Sequence, residues 1–278
     1  MVLLFYCSPQ NDLIIRDGMR WLWLFIICDF LPAALPAQSR YTKLELQPKQ
    51  VFQFGTSDII IADTLIMRDS SHIVLNSGKK ENYIRAKVAI IGNNCWISGP
   101  GKCGSDGNSG GNGKTLSGPC KDGTAAKNGS RGHDGNPGIN LFLYIDKIIV
   151  DGSLVIDLSG GNGGDGGDGG EGGGGSTGTL HCRGGDGGRG GDGGNGGDGG
   201  HGGTLTFGGH DLENIRMMIG SHIIINTLGG NLGYGGLYGA GGPAGLGPSD
   251  MNGQAGICGK DGGKGKPGHN GIVQFEQQ

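Results

Sequence analysis

Two segments carry the spacing of a serine nucleophile, Gly107-Asn-Ser-Gly-Gly111 and Gly174-Gly-Ser-Thr-Gly178, both of the form GxSxG. In a hydrolase this motif is a tight strand-to-helix turn that lifts the Ser hydroxyl out of a sheet. No helical pattern follows either segment, so Ser109 and Ser176 are read as ordinary members of a glycine-rich stretch and no catalytic residue is assigned. The run ending Gly113-Lys-Thr115 approaches a phosphate-binding loop, but Asn108 stands where that loop needs Gly. A third chemistry is metal binding. Asn162, Asp165, Asp168 and Glu171, then Asp186, Asp192, Asn195 and Asp198, recur at every third residue, with Arg189 and His201 in the same series. Side chains three apart in a polyproline II strand line one edge at about 9 Å intervals. Neighbours so spaced cannot share a calcium ion at its ~2.4 Å ligand distance. The residues therefore read as a solvated acidic edge, with no cofactor and no specific metal site. Loose calcium bridging of two such edges is the most the pattern permits.

The elements that would position any chemistry are unusual. Among 278 residues there are 66 Gly and 10 Pro, while 35% are hydrophobic and the net charge is only −3. Such a chain is neither an ordinary enzyme nor a disordered one. It has no basic excess for nucleic acid. Residues 1–37 read as a leader and signal peptide: Met19 and Arg20, an apolar run from Trp21 to Leu31, then Pro32-Ala-Ala-Leu-Pro-Ala37 before Gln38. That run is too short to span a membrane. Past Ala37 five cysteines remain, Cys95, Cys103, Cys120, Cys182 and Cys258, an odd number that allows two disulfides.

Residues 38–98 form an N-terminal β region, with strand-like runs at Val51–Phe54, Ile59–Ile61, Thr64–Met67, His72–Leu75, Ile84–Ile91 and Trp96–Ser98. Their spacing fits a sandwich or a solenoid-like coil. From residue 99 to 275 the period becomes three. Of the 15 positions taken every third residue from Gly160 to Gly202, only His181 is not Gly. Glycine arms pair about bends at 114–122, 176–183 and 246–252, giving three hairpins. Apolar runs separate them, Ile215–Ile219 and Ile223–Leu228 included, all read as strands. Residues 276–278 are a tail. A polyproline II arm bonds only to neighbours, and only glycine lets backbones approach closely enough.

Arms such as Gly184-Gly-Asp-Gly-Gly-Arg-Gly-Gly-Asp192 and Gly262-Gly-Lys-Gly-Lys-Pro-Gly268 resemble those of glycine-rich, collagen-like polyproline II bundle proteins. Snow flea antifreeze proteins, phage tail-fibre adhesin tips and glycine-rich ectodomains are similar. The resemblance covers residues 99–271 and is one of repeat type, so it speaks to fold more than to function.

The expected class is all-β/irregular: a short-strand β base carrying three polyproline II hairpins packed as a bundle, with no helix beyond the leader. The GGX arms of the second hairpin, with one side chain per turn, should lie inside it. A disulfide between the bends, Cys120 with Cys182, is expected, with Cys182–Cys258 as the other choice. The arm Gly230–Gly245 differs from the rest in carrying Leu232, Tyr234, Leu237 and Tyr238. These either pack on the β base or form a binding face for an extracellular surface, a glycan, a protein or another copy. The functional expectation is a secreted, non-enzymatic structural or adhesive protein at the cell surface or beyond it, with ice binding as the alternative.

Overall fold

The computed structural model describes residues 39–277, so the leader reading of 1–37 lies outside them. Among these residues eleven strands form two sheets. One contains, in spatial order, β1 (Ser39–Leu46), β3 (Ile59–Met67), β5 (Glu81–Ile91), β7 (Asn140–Val150), β9 (Leu205–Gly208) and β11 (Val273–Glu276). The other is ordered β10 (Ile223–Asn226), β8 (Leu154–Asp157), β6 (Cys95–Ser98), β4 (His72–Val74), β2 (Val51–Gln53). Every pair is parallel. Consecutive strands alternate between the sheets, so each pass of the chain extends both by one strand.

Alternation within the strands places the core between the sheets. Ile60 and Ala62 on β3, Ile84 and Ala86 on β5, and Leu141 and Leu143 on β7 are buried from one side. Ile73, Ile97 and Ile156 are buried from the other. Opposite-parity residues such as Tyr83 and Phe142 lie on the outer face, their rings stacked 4.6 Å apart.

This architecture corrects the expected class. The chain is a parallel two-sheet fold of α/β type with few helices, not an all-β protein whose body is a polyproline II bundle. A sandwich is excluded because no two of the eleven strands pair antiparallel. A helix, α1 (Leu212–Met218), occupies the segment read as a strand at Ile215–Ile219. Leu212 and Ile215, three apart, are both buried, which is helical spacing. α1 has only seven residues, and although Asp211 at its N-cap and Glu213 in its first turn are start signals, the Asp211 side chain makes no capping bond. Asp211, at its N-cap, instead accepts the Ile148 N–H at 3.1 Å. A single 3₁₀ turn lies at Pro248–Asp250. Strand β1 precedes the first run recognised in the sequence, and the runs at 59–61 and 64–67 are one strand.

The three glycine hairpins are the connections from β6 to β7, β8 to β9 and β10 to β11. They keep the register of the strands they join. The offset of 59 residues that pairs Cys95 on β6 with Leu154 on β8 also brings Asp106 to Asp165 and Asn112 to Glu171 in the arms. Offsets of 69, 64 and 68 residues likewise run from the β8–β10, β7–β9 and β9–β11 pairs into the arms that continue them. The outgoing arms thus prolong one sheet and the returning arms the other, with the second hairpin between the first and the third.

Candidate binding face

The arms hold together by a rule visible in one triplet. Gly163 N–H donates to the Asn231 carbonyl of the third hairpin and Gly164 N–H to the His133 carbonyl of the first. The remaining donor, Asp165 N–H, goes to Asp106 Oδ1 at 2.8 Å. All three backbone donors of the Gly-Gly-Asp triplet are satisfied, as extended backbone away from bulk water requires. A Cβ on either glycine would run into a neighbouring carbonyl.

The acidic series is therefore part of this ladder and not only a solvated edge. Asn162, Asp165 and Asp168 accept from the N–H groups of Asn231, Tyr234 and Leu237. Asp186, Asp192, Asn195 and Asp198 accept from Gln254, Lys260, Gly263 and Lys266. Asp or Asn suits this place because a short side chain ends in an acceptor that reaches one arm across. The bond from Gln254 N–H, with Arg183 beside it, holds Asp186 below its ordinary 3.8. Lys260 N–H with Arg189, and Asp198 N–H with Arg131, do the same for Asp192 and Asp134. Among the described residues no group of three or more His, Cys, Asp or Glu is placed to hold a metal ion.

Of the sequence-predicted site residues, Tyr234, Leu237 and Tyr238 are 59%, 66% and 50% exposed, and Leu232 is half-buried. They do not form the core of the β base. Nor do all four share one orientation. The N–H groups of Tyr234 and Leu237 bond to Asp165 and Asp168 of the middle hairpin, whereas Tyr238 N–H bonds to Asp261 on the returning arm at 2.9 Å. Lys264 Nζ lies 5.2 Å from the centre of the Tyr234 ring, a cation–π contact that sequence reading had not placed. Cys120 and Cys182 are joined by a disulfide across the tips of the first two hairpins, with their Cα atoms 6.1 Å apart. Cys95 is buried, while Cys103 and Cys258 are exposed thiols.

The chain matches no family model, no curated protein and no solved structure. Ser109 and Ser176 adjoin no helix, and Ser176 Oγ donates to the Leu116 carbonyl. A Ser–His contact does exist elsewhere, His72 to Ser98 at 2.6 Å on the outer face of the smaller sheet, where burial pushes the imidazole pKa down. The nearby Asp157 on β8 directs Oδ1 to Asn226 and to Ser159 N–H and so does not orient that histidine. Among the described residues no helix is long and apolar enough to cross a membrane.

Proposed function

We propose that this chain is a secreted, non-enzymatic structural or adhesive module that binds an extracellular surface, glycan or protein through the outer arm of its third hairpin. The observation that carries this reading is the split between backbone and side chain at Tyr234, Leu237 and Tyr238. Their N–H groups are fixed by Asp165, Asp168 and Asp261, while half or more of each side chain stays in water. Aromatic groups presented on a fixed backbone lose little conformational freedom on binding, and tyrosine offers both an apolar ring and a polar tip. Replacing both Tyr234 and Tyr238 by Ser should abolish retention on immobilised matrix proteins or glycans and leave the melting temperature within a degree or two of the parent. Full retention by the double variant would refute the reading.

A second reading, ice binding, draws on the regular offsets, which repeat side chains at fixed intervals over both layers of arms. The strong hydration of Asp, Lys and Arg in those rows opposes it. Thermal hysteresis in the purified protein would favour it over adhesion.

A further inference from the structure

Of the asparagines in the sequence only Asn128 is followed two places later by Ser or Thr with a residue other than Pro between, in Asn128-Gly-Ser130. That triplet is the acceptor pattern of N-linked glycosylation, in which a sugar is joined to the side-chain nitrogen. It lies on the returning arm of the first hairpin, where Asn128 and Ser130 are both exposed.

The arm leaves that nitrogen free. Asn128 occupies an acceptor place of the ladder, and Asp192 N–H of the second hairpin donates to its Oδ1 at 2.8 Å. Because the incoming group is a donor, the oxygen is fixed on the side of the second hairpin and Nδ2 on the side away from it. Nδ2 makes no hydrogen bond to the described residues. The first hairpin is the outermost of its row, so no further arm stands where Nδ2 is turned. Along the arm the next side chains on this edge are Ala125 and Arg131, about 9 Å to either side at the polyproline II spacing, which leaves width for a sugar ring. Asp122 and Asp134 hold the equivalent places and accept from Asp186 and Asp198 in the same way. Those two side chains end in oxygens only. At 128 the same acceptor comes with an amide nitrogen to spare.

We propose that Asn128 Nδ2 carries an N-linked glycan, added as the chain enters a eukaryotic-type secretory pathway. The inference rests on the secreted part of the function proposed above and concerns the hairpin on the far side of the bundle from Tyr234 and Tyr238. The donor is an oligosaccharide carried on a lipid pyrophosphate. Nδ2 forms a bond to the anomeric carbon while the bond from that carbon to the pyrophosphate oxygen breaks. The lipid pyrophosphate leaves with the electron pair, and Nδ2 gives up one proton to a base of the transferase. Linkage at Nδ2 leaves Oδ1 where it was, so the bond from Asp192 N–H is kept and the ladder stays whole.

The full chain expressed in cultured eukaryotic cells should reach the medium with a single glycan. It should show as one step in gel mobility that peptide:N-glycosidase removes, with position 128 then recovered as aspartate in the peptide map. Asn128→Asp keeps the ladder acceptor and deletes Nδ2, so that variant should be secreted and folded without the glycan. Ser130→Ala should also abolish the step, and Ser130→Thr, which returns a hydroxyl, should keep it. A parent recovered from the medium with unmodified Asn128 would overturn the proposal and leave the secreted reading standing. A glycan that persists in Asn128→Asp would overturn it too. Retention of the parent inside the cell would overturn the secreted reading, and retention without the glycan would overturn both.

Discussion

The second and third hairpins follow one register yet differ at equivalent places. The 69-residue offset sets Gly163, Gly169 and Gly175 of the second beside Leu232, Tyr238 and Ala244 of the third. In the second hairpin each of these glycines donates to a carbonyl of the third. The third hairpin is the last, so no fourth arm supplies a carbonyl to the equivalent N–H groups, and that of Tyr238 turns to Asp261 Oδ1 instead; between the side-chain places, Gly235 and Gly241 still face the Gly262 and Gly256 carbonyls of their own returning arm. The same holds for the acceptors. Asn162, Asp165 and Asp168 each serve a neighbour, whereas Asn231, Tyr234 and Leu237, at the matching place one arm later, have no such arm to serve. In the second hairpin the acceptor place is thus mostly Asp or Asn, with Glu171, Arg189 and His201 as exceptions, and the terminal outgoing arm carries Tyr234 and Leu237 there. On the terminal arm Tyr234, Leu237 and Tyr238 are left half or more in water.

The strongest way to break this comparison is to put a side chain into the interior arm. A Cβ on Gly187 would overlap the Gly242 carbonyl oxygen and crowd Gly256 N. Gly187→Val should cost more than about 4 kcal/mol, the range reserved for severe overpacking and lost backbone bonds. Tyr238→Val, at a side-chain-bearing place on the terminal arm, should change stability by less than about 0.5 kcal/mol. Denaturant titration of the two variants checks both, and equal costs would end the distinction between interior and terminal arms.

Next in size is the covalent link. Cys120 and Cys182 close a loop of 62 residues across the tips of the first two hairpins. In the chain-entropy account such a loop contributes about 4 kcal/mol. Cys120→Ala with Cys182→Ala should lower stability by about that much. The third hairpin carries no share of this disulfide and should keep its amide protection in hydrogen exchange until global unfolding. Selective loss at the tips of hairpins one and two would sharpen the comparison, and loss spread evenly over all three would contradict it.

Acid tests the ladder as a set. Asp134, Asp186 and Asp192 are held below 3.8 by backbone donors first and by arginines second. A carboxylate depressed in the folded state contributes stability that is present above its unfolded value and lost as pH falls through the folded one. Stability should therefore be flat from neutral pH to about 5 and fall below about 3.8 as these acceptors take up protons. High salt should blunt the arginine share of that fall and leave the backbone share, because exposed ion pairs are screened. A melting temperature unchanged at pH 3 would show that the acids do not hold the arms.

Much of this was legible in the residues and some was not. The period of three marked the arms, their bends and the close approach of glycine, because each follows from local composition. The tip disulfide followed from matching bends, with one rival pairing left open. The parallel order of the strands was hidden, since strand runs of three to eleven residues look alike whichever way they pair. Helix α1 was mistaken for a strand because Ile215 and Ile219 stand out in a segment of two turns. The role of Asp165 and its kin was missed for a physical reason: a side chain at every third position points away from its own arm, and only knowledge of the neighbouring arm shows the N–H it meets. The signal that could have revealed it is the recurrence of Asp and Asn at constant offsets of 59 and 64 residues, Asp106 with Asp165, and Asp122, Asn128 and Asp134 with Asp186, Asp192 and Asp198.

The smallest expected effect separates the side chain from the backbone at one place. Leu237 N–H donates to Asp168 Oδ1 at 2.7 Å, while its side chain is 66% exposed. If the terminal arm is held by its neighbour's carboxylates and not by its own apolar groups, Leu237→Ser should leave the melting temperature unchanged. The substitution removes an exposed isobutyl group and keeps the N–H and its acceptor. Asp168→Ala deletes that acceptor and returns the Leu237 N–H to water, so it should lower the melting temperature although it removes a charged surface residue. Asp168→Asn, which keeps an oxygen at the same reach, should restore most of the loss. The order expected in a melting series is parent and Leu237→Ser together, Asp168→Asn slightly below, Asp168→Ala lowest. If Leu237→Ser falls furthest instead, the arm is anchored by its apolar side chains, and the surface assigned to binding is part of the packing.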